Sequence, residues 1–213
     1  MMQDPSPHNH HEHETFVDNH QPLTDYQLLT LAIQELLIEK GIVTATAVRE
    51  TIEAMDARSP ALGAKMVVRA WLDSNYKARL LTDCKTAAWE LGIDIGSSRV
   101  VVVENTPQVH NVIVCTLCSC YPRMILGLPP DWYKNKAYRS RVVREPRAVI
   151  AEFGTIIPDH VEIRVHDSTA EMRYLVLPQR PEGTEELDEE ALVSWVTRDS
   201  MIGVSFPKQP NLN

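Results

Sequence analysis

Cysteine is scarce, with four in 213 residues. That scarcity excludes a disulfide framework of the kind that holds small secreted domains together. The sequence also lacks any run near the ~20 consecutive apolar residues that span a bilayer, and it has no apolar stretch of a secretory signal at its start. The expectation is a cytoplasmic protein with no membrane association. In that compartment, clustered thiols are catalytic or metal-bound more often than cross-linked. Positive charge is in the minority, with 21 Lys and Arg against 29 Asp and Glu and a net charge of −8. No basic stripe stands ready for phosphates, which argues against nucleic acid as a partner. Apolar residues still make up 44%, enough in a chain of this length to bury a core.

Along the chain, residues 1–22 read as a disordered tail in which His8, His10, His11, His13 and His20 alternate with Glu12, Glu14 and Asp18. Imidazoles at that density bind divalent metals loosely, although a solvated tail accounts for the composition without a site. Residues 23–97 read as a helical N-terminal arm. Thr24 with Gln27 three residues on is a capping-box pattern, and Leu28, Leu29, Ala32, Ile33, Leu36 and Leu37 mark an apolar stripe that ends at Gly41. A second helix is expected from about Thr44, a third over 63–72, and a fourth over 74–91 with a stop at Gly92. Periodicity does not decide whether these helices pack on each other or lie across a partner. Cys84 falls on the apolar face of the fourth and reads as a small buried hydrophobe.

Residues 98–213 read as an α+β domain that carries the chemistry. The β-branched runs Val100 to Val103 and Val112 to Val114 are strands. Helices are expected over 132–144, 147–153 and 188–196. Further strands are expected over 161–165, 173–177 and 201–206.

The second β-branched run leads into Cys115-Thr116-Leu117-Cys118-Ser119-Cys120, three of the four cysteines in six residues. Thiols this close bind a metal, form a redox pair or are cross-linked, and a metal site is the leading reading. Covalent connectivity says what C-x-C can wrap. A six-membered ring runs from the Cys118 sulfur to the Ser119 nitrogen, and five-membered rings run on to the nitrogen and sulfur of Cys120. The result is a planar S-N-N-S set, to which Cys115 can add an axial sulfur and leave the sixth octahedral position open. Peptide nitrogens bind only when deprotonated, which calls for a strongly Lewis-acidic ion such as trivalent cobalt or iron and not for zinc.

V-C-T-L-C-S-C-Y over 114–121 resembles the metal-binding signature of the nitrile hydratase α subunit and of the related thiocyanate hydrolase γ subunit. The resemblance extends over about residues 23–205. It includes Val109-His110-Asn111, L-G-L-P-P-D-W-Y-K over 126–134, Y-R-S-R-V-V-R-E-P-R over 138–147, Arg164-Val165-His166-Asp167, Arg173-Tyr174 and T-R-D-S-M-I-G-V over 197–204. It implies a layered α-β-β-α metal-binding domain and a lyase that hydrates a small nitrile to its amide, the metal acting as Lewis acid. It implies that Cys115 is the axial thiolate, that Cys118 and Cys120 are equatorial sulfurs, and that Ser119 and Cys120 are amide donors. Cys118 would become a sulfinic acid and Cys120 a sulfenic acid, the latter serving as nucleophile or base. The resemblance further implies a β-type partner subunit whose arginines hold the oxidised sulfurs, and an activator protein that loads the metal. Thr116 matches the cobalt members, so non-corrin trivalent cobalt is favoured over trivalent iron. Asp167, Glu171 and Arg173 match polar positions around the metal, where such groups orient ligands; a strand-and-loop charge network would account for them as well.

One departure bears on substrate. Most nitrile hydratases resemble C-Y-P-W after the last cysteine, whereas here Arg123 closes C-Y-P-R. An arginine there resembles the thiocyanate hydrolase γ subunit and suits an anionic substrate. It is also compatible with a pocket opened for a bulky nitrile, or with a side chain turned into the subunit interface. Leu128-Pro129-Pro130 and Arg144-Glu145-Pro146-Arg147 look more like nitrile hydratase.

Overall fold

The computed structural model describes residues 23–208, so the histidine-rich tail lies outside the described residues. The chain divides into two compact units at Arg49 and Glu50. In the first, helix α1 (Asp25–Glu39) begins as the sequence signals. The Thr24 hydroxyl accepts the N–H of Gln27, and the Gln27 side chain accepts the N–H of Thr24, which satisfies two donors that a helix start leaves orphaned. No residue of α1 is buried, and Leu28, Leu29, Leu31, Ile33 and Leu36 are exposed. Helix α2 (Ala45–Asp56) starts in this unit and crosses the division.

In the second unit α2 is followed by α3 (Ala61–Leu72), which buries Ala64, Met66, Val67, Val68 and Ala70. The helix expected over 74–91 is in fact two, α4 (Ser74–Thr82) and α5 (Cys84–Glu90). Each begins on an aspartate, Asp73 and Asp83, whose carboxylate accepts the N–H groups two and three residues on. The apolar stripe runs on through the break, since Tyr76, Leu80, Cys84, Ala87 and Ala88 are all buried. Periodicity therefore does not reveal it.

Four strands follow: β1 (Arg99–Glu104), β2 (Val109–Val114), β3 (Glu162–Asp167) and β4 (Met172–Leu177). They form two parallel pairs, β1 with β4 and β2 with β3. Successive strands β3 and β4 do not pair with each other; each returns to an earlier strand. β2 is buried along almost its whole length, as a strand covered on both faces must be. Helices α6 (Arg123–Leu126), α7 (Asp131–Lys134), α8 (Lys136–Arg141) and α9 (Pro146–Glu152) connect β2 to β3. The run expected as one helix over 132–144 breaks at Asn135, whose side chain accepts the N–H of Ala137 and caps α8. Helices α4 and α5 pack on β1, and α9 packs on β3, so the fold is α+β with helices laid against the paired strands.

After β4 come α10 (Glu189–Val193) and α11 (Arg198–Ile202). The strand expected over 201–206 is not formed. Thr197 and Ser200 make a capping box, α11 runs to Ile202, and Gly203 ends it at φ 94°. Met201, Ile202, Gly203 and Val204 are buried consecutively and not alternately, so an apolar run here marks a core segment of either kind. Among the described residues no helix is long and apolar enough to cross a membrane.

Candidate metal centre

Parallel pairing creates the site. The register sets Val114 opposite Asp167, so β2 and β3 end side by side and their loops leave at one edge. Loops beyond the carboxyl ends of parallel strands are where such folds gather ligand-binding groups. Cys115 follows β2 directly and is 1% exposed, Cys118 is exposed and Cys120 half-buried. All three sulfurs lie within 4.8 Å of one another, with Cys118 Sγ 3.3 Å from that of Cys115 and 3.2 Å from that of Cys120.

The loop is held at both ends by groups from other elements. The N–H of Thr116 donates to Asp167 Oδ1 at 2.9 Å and its hydroxyl to Oδ2 at 2.6 Å. Arg139 Nη1 donates to the Thr116 carbonyl at 3.2 Å, and Tyr133 Oη donates to the Cys120 carbonyl at 2.9 Å. Within the loop the N–H of Cys118 donates to Cys115 Sγ at 3.3 Å. Residues 117–119 are exposed.

Electrostatics separate the thiols. Cys118 is lowered to about 7, first by its hydrogen bond with Cys120, then by that with Cys115, and further by the N–H groups of Cys120 and Ser119. Cys120 is pushed up to about 12, first by burial and then by sharing its hydrogen with Cys118, while Arg173 pulls the other way. Of the two thiols, Cys118 is thus the one held low, and the N–H groups of the two residues that follow it contribute to that. Converging sulfurs of this kind form a soft donor set suited to a transition-metal ion.

The remaining expected residues are placed variously. Arg173, at the start of β4, donates through Nη1 to the carbonyls of Thr169 and Ala170, closing the turn beyond β3, and its charge reaches Cys120. Glu171 is exposed and accepts the Thr169 hydroxyl at 3.2 Å; its hydrogen bond belongs to that turn and not to the cysteine loop. Arg123 is the exposed first residue of α6, and among the described residues its side chain forms no ion pair. Tyr133 and Arg139 received no role from sequence; both lie in segments that carry the resemblance, but nothing in their spacing points to the loop. Beside it a cavity of about 430 Å³ opens to solvent, lined by Thr116, Leu117, Lys136, Arg139, Ser140 and Val143.

Fold and site together define an α+β chain with a cluster of three cysteines, able to hold a metal ion, at the end of a parallel strand pair. Comparison with known proteins names the family. The family model described as nitrile hydratase, alpha chain, matches residues 24–205. The chain is 52% identical over 182 residues to the low-molecular weight cobalt-containing nitrile hydratase subunit alpha of Rhodococcus rhodochrous, covering 84% of this chain and 88% of that one. It is 41% identical over 198 residues to the thiocyanate hydrolase subunit gamma of Thiobacillus thioparus, covering 87% and 82%. Its fold matches an iron-type nitrile hydratase double mutant from Comamonas testosteroni Ni1 with a TM-score of 0.81 at 42% identity, covering 87% and 91%. The chain belongs to the nitrile hydratase α-chain family.

Proposed function

We propose that this chain is the catalytic metal-binding subunit of a nitrile hydratase, hydrating a small nitrile to its amide, with non-corrin trivalent cobalt favoured over iron. The observation that carries the reading is the convergence of three sulfurs within 4.8 Å at the end of β2, in a chain 52% identical to a cobalt-containing nitrile hydratase subunit. When bound, the ion supplies Lewis-acid polarisation of nitrile or water.

The chain's own residues divide the remaining work. Cys115 on the buried floor, together with Cys118 and Cys120, would hold the ion through their sulfurs, with the amide nitrogens of Ser119 and Cys120 as further donors. In this reading dioxygen is the oxidant that takes Cys118 to the sulfinic acid and Cys120 to the sulfenic acid, while Cys115 stays a thiolate; the exposure of Cys118 and the enclosure of Cys115 support that order. The Cys120 sulfenate then acts on the substrate as nucleophile or base. Asp167 orients the loop through Thr116, while Arg173 and Glu171 order the turn beside it.

A β-type partner completes the site. Two features support it: residues 117–119 are open to solvent, and α1 exposes Leu28, Leu29, Leu31, Ile33 and Leu36, an apolar surface of the kind a partner covers. In this reading the partner's arginines pair with the oxidised sulfurs, and an activator protein loads the cobalt.

Arg123 favours a second reading, a thiocyanate hydrolase γ-type subunit that converts thiocyanate to carbonyl sulfide and ammonia, because a cation suits an anionic substrate. One experiment separates the two. The complex purified with its partner is assayed on nitriles and on thiocyanate; amide is expected, and carbonyl sulfide without amide would establish the second reading instead. Metal analysis of the active complex is expected to give cobalt, and zinc or no metal would overturn both. Mass spectrometry is expected to show two added oxygens on Cys118 and one on Cys120.

A further inference from the structure

We propose that Arg139 is a positioning residue for the metal loop: with Asp167 it grips Thr116 by both of its backbone groups, so that the sulfurs of Cys115 and Cys118 face one ion. The proposal rests on the metal-binding reading above. Thr116 is where the chain leaves the core, one residue after Cys115, and each of its polar groups meets a charged partner. Its N–H and hydroxyl meet the Asp167 carboxylate, and its carbonyl meets the Arg139 guanidinium. Hydrogen bonds to ionised groups are about twice as strong as neutral ones. The Thr116 carbonyl lies in the plane of the peptide that leads to Leu117, and a peptide plane turns as a unit. Holding that oxygen therefore sets the direction in which residues 117–119 depart, and it does so from α8, 23 residues away in sequence. The next anchor from another element is Tyr133 at Cys120. Cys118 lies between the two grips, exposed, with its N–H on the Cys115 sulfur. Fixing the exit from Thr116 is thus what keeps Cys118 turned back over Cys115.

Arg139 is placed at some expense. Its Nε is enclosed and has no hydrogen-bond partner among the described residues, and leaving a buried donor unpaired costs stability. The guanidinium enclosed there reaches the Thr116 carbonyl from α8, a span that a smaller polar residue would not cover. Lysine could bring charge to the carbonyl but not the planar fork.

The test uses the full chain with its co-purifying partner, metal-free and reduced, as wild type, Arg139→Gln and Arg139→Lys. Divalent cobalt alone is titrated in and followed by sulfur-to-cobalt absorption. Amide hydrogen exchange is followed in the same metal-free samples. Arg139→Gln is expected to weaken cobalt binding roughly 10–100-fold, with Arg139→Lys recovering part of it. Exchange at residues 117–120 should quicken by about tenfold while β2 stays protected. Unchanged affinity and unchanged loop exchange in a folded Arg139→Gln complex would overturn the proposal. Faster exchange throughout β2 would overturn it as well, because Arg139 would then serve the core and not the loop. Absence of cobalt binding by the wild type would instead count against the metal reading, and the exchange result would still decide whether Arg139 positions the loop.

Discussion

The two ends of β2 follow opposite rules. At the amino end, buried polar groups close a chain of hydrogen bonds. His110 Nε2 lies 2.7 Å from the Gly203 carbonyl; a carbonyl only accepts, so Nε2 carries the proton and Nδ1 accepts from Asn105 Nδ2 at 3.4 Å. Asn105 Oδ1 accepts the backbone N–H and the side-chain Nδ2 of Asn111, which also donates to the Glu104 carbonyl. Asn111 Oδ1 accepts from His166 Nε2 at 2.8 Å. At the carboxyl end, five residues on from His110, the buried sulfur of Cys115 faces that of exposed Cys118, which in turn faces that of Cys120. The difference teaches that the strand separates stability from chemistry: one end is satisfied internally and anchors the sheet, and the other presents three free thiols that could together hold an ion. Changes at the amino end should therefore cost stability, and changes at the carboxyl end should cost activity.

The largest expected break is Gly203→Ala. Gly203 sits at φ 94°, and a Cβ there would run into the carbonyl of Asn111, so strain and collision add. A loss of about 3–4 kcal/mol is expected from urea unfolding of the metal-free chain; a loss below about 1 kcal/mol would show that the anchored end yields. Asn111→Ala comes next. It strands His166 Nε2 and the Glu104 carbonyl and removes the side-chain bond to Asn105, while the backbone N–H keeps its own, for about 2–3 kcal/mol.

How far sequence reaches differs between the same two ends. The thiols of the carboxyl end were legible because C-x-x-C-x-C confines its sulfurs by covalent reach alone, and Thr24 with Gln27 was legible because a capping box is local. Arg139 and Tyr133 were not, since they meet the loop across 23 and 13 residues by a path that only packing of α7 and α8 decides. The same holds for the amino end, where His110 finds its acceptor 93 residues away. The break at Asp83 was hidden because an unbroken apolar stripe spans both helices, and the end of α11 because a segment buried on all sides has no period to read.

The histidines give a smaller effect with a defined sign. His110 and His166 are both held below their ordinary 6.5, chiefly by burial, with Arg147 and Arg164 respectively adding to it. As pH falls through 6.5 the unfolded chain takes up protons that the folded chain refuses, so stability is present above that pH and declines below it. The slope approaches at most about 1.4 kcal/mol per pH unit for each histidine. Carboxylates held low by their partners, such as Glu152 by Arg141, lose their contribution only further down, below their ordinary 4.5, which leaves pH 6.5 to about 5 to the histidines. Urea midpoints at pH 7.5 and 5.5 should show the decline, and His166→Gln, which keeps a donor near Asn111 without a titrating ring, should show less of it. An equal decline in the variant would remove His166 from the account.

The smallest expected change in stability is at Cys118, and it sharpens the comparison most. Its side chain is exposed and meets the sulfurs of Cys115 and Cys120 within its own loop, so in the metal-free chain Cys118→Ala should unfold within about 0.5 kcal/mol of wild type. The complex carrying Cys118→Ala or Cys120→Ala should nonetheless lose activity altogether, whereas Cys84→Ala, at a thiol 3% exposed in the core, should cost about 1 kcal/mol and leave turnover intact. A Cys118→Ala chain that unfolds far more easily without metal would mean that the sulfurs themselves stabilise the fold, and the carboxyl end of β2 would then be an anchor as well as a site.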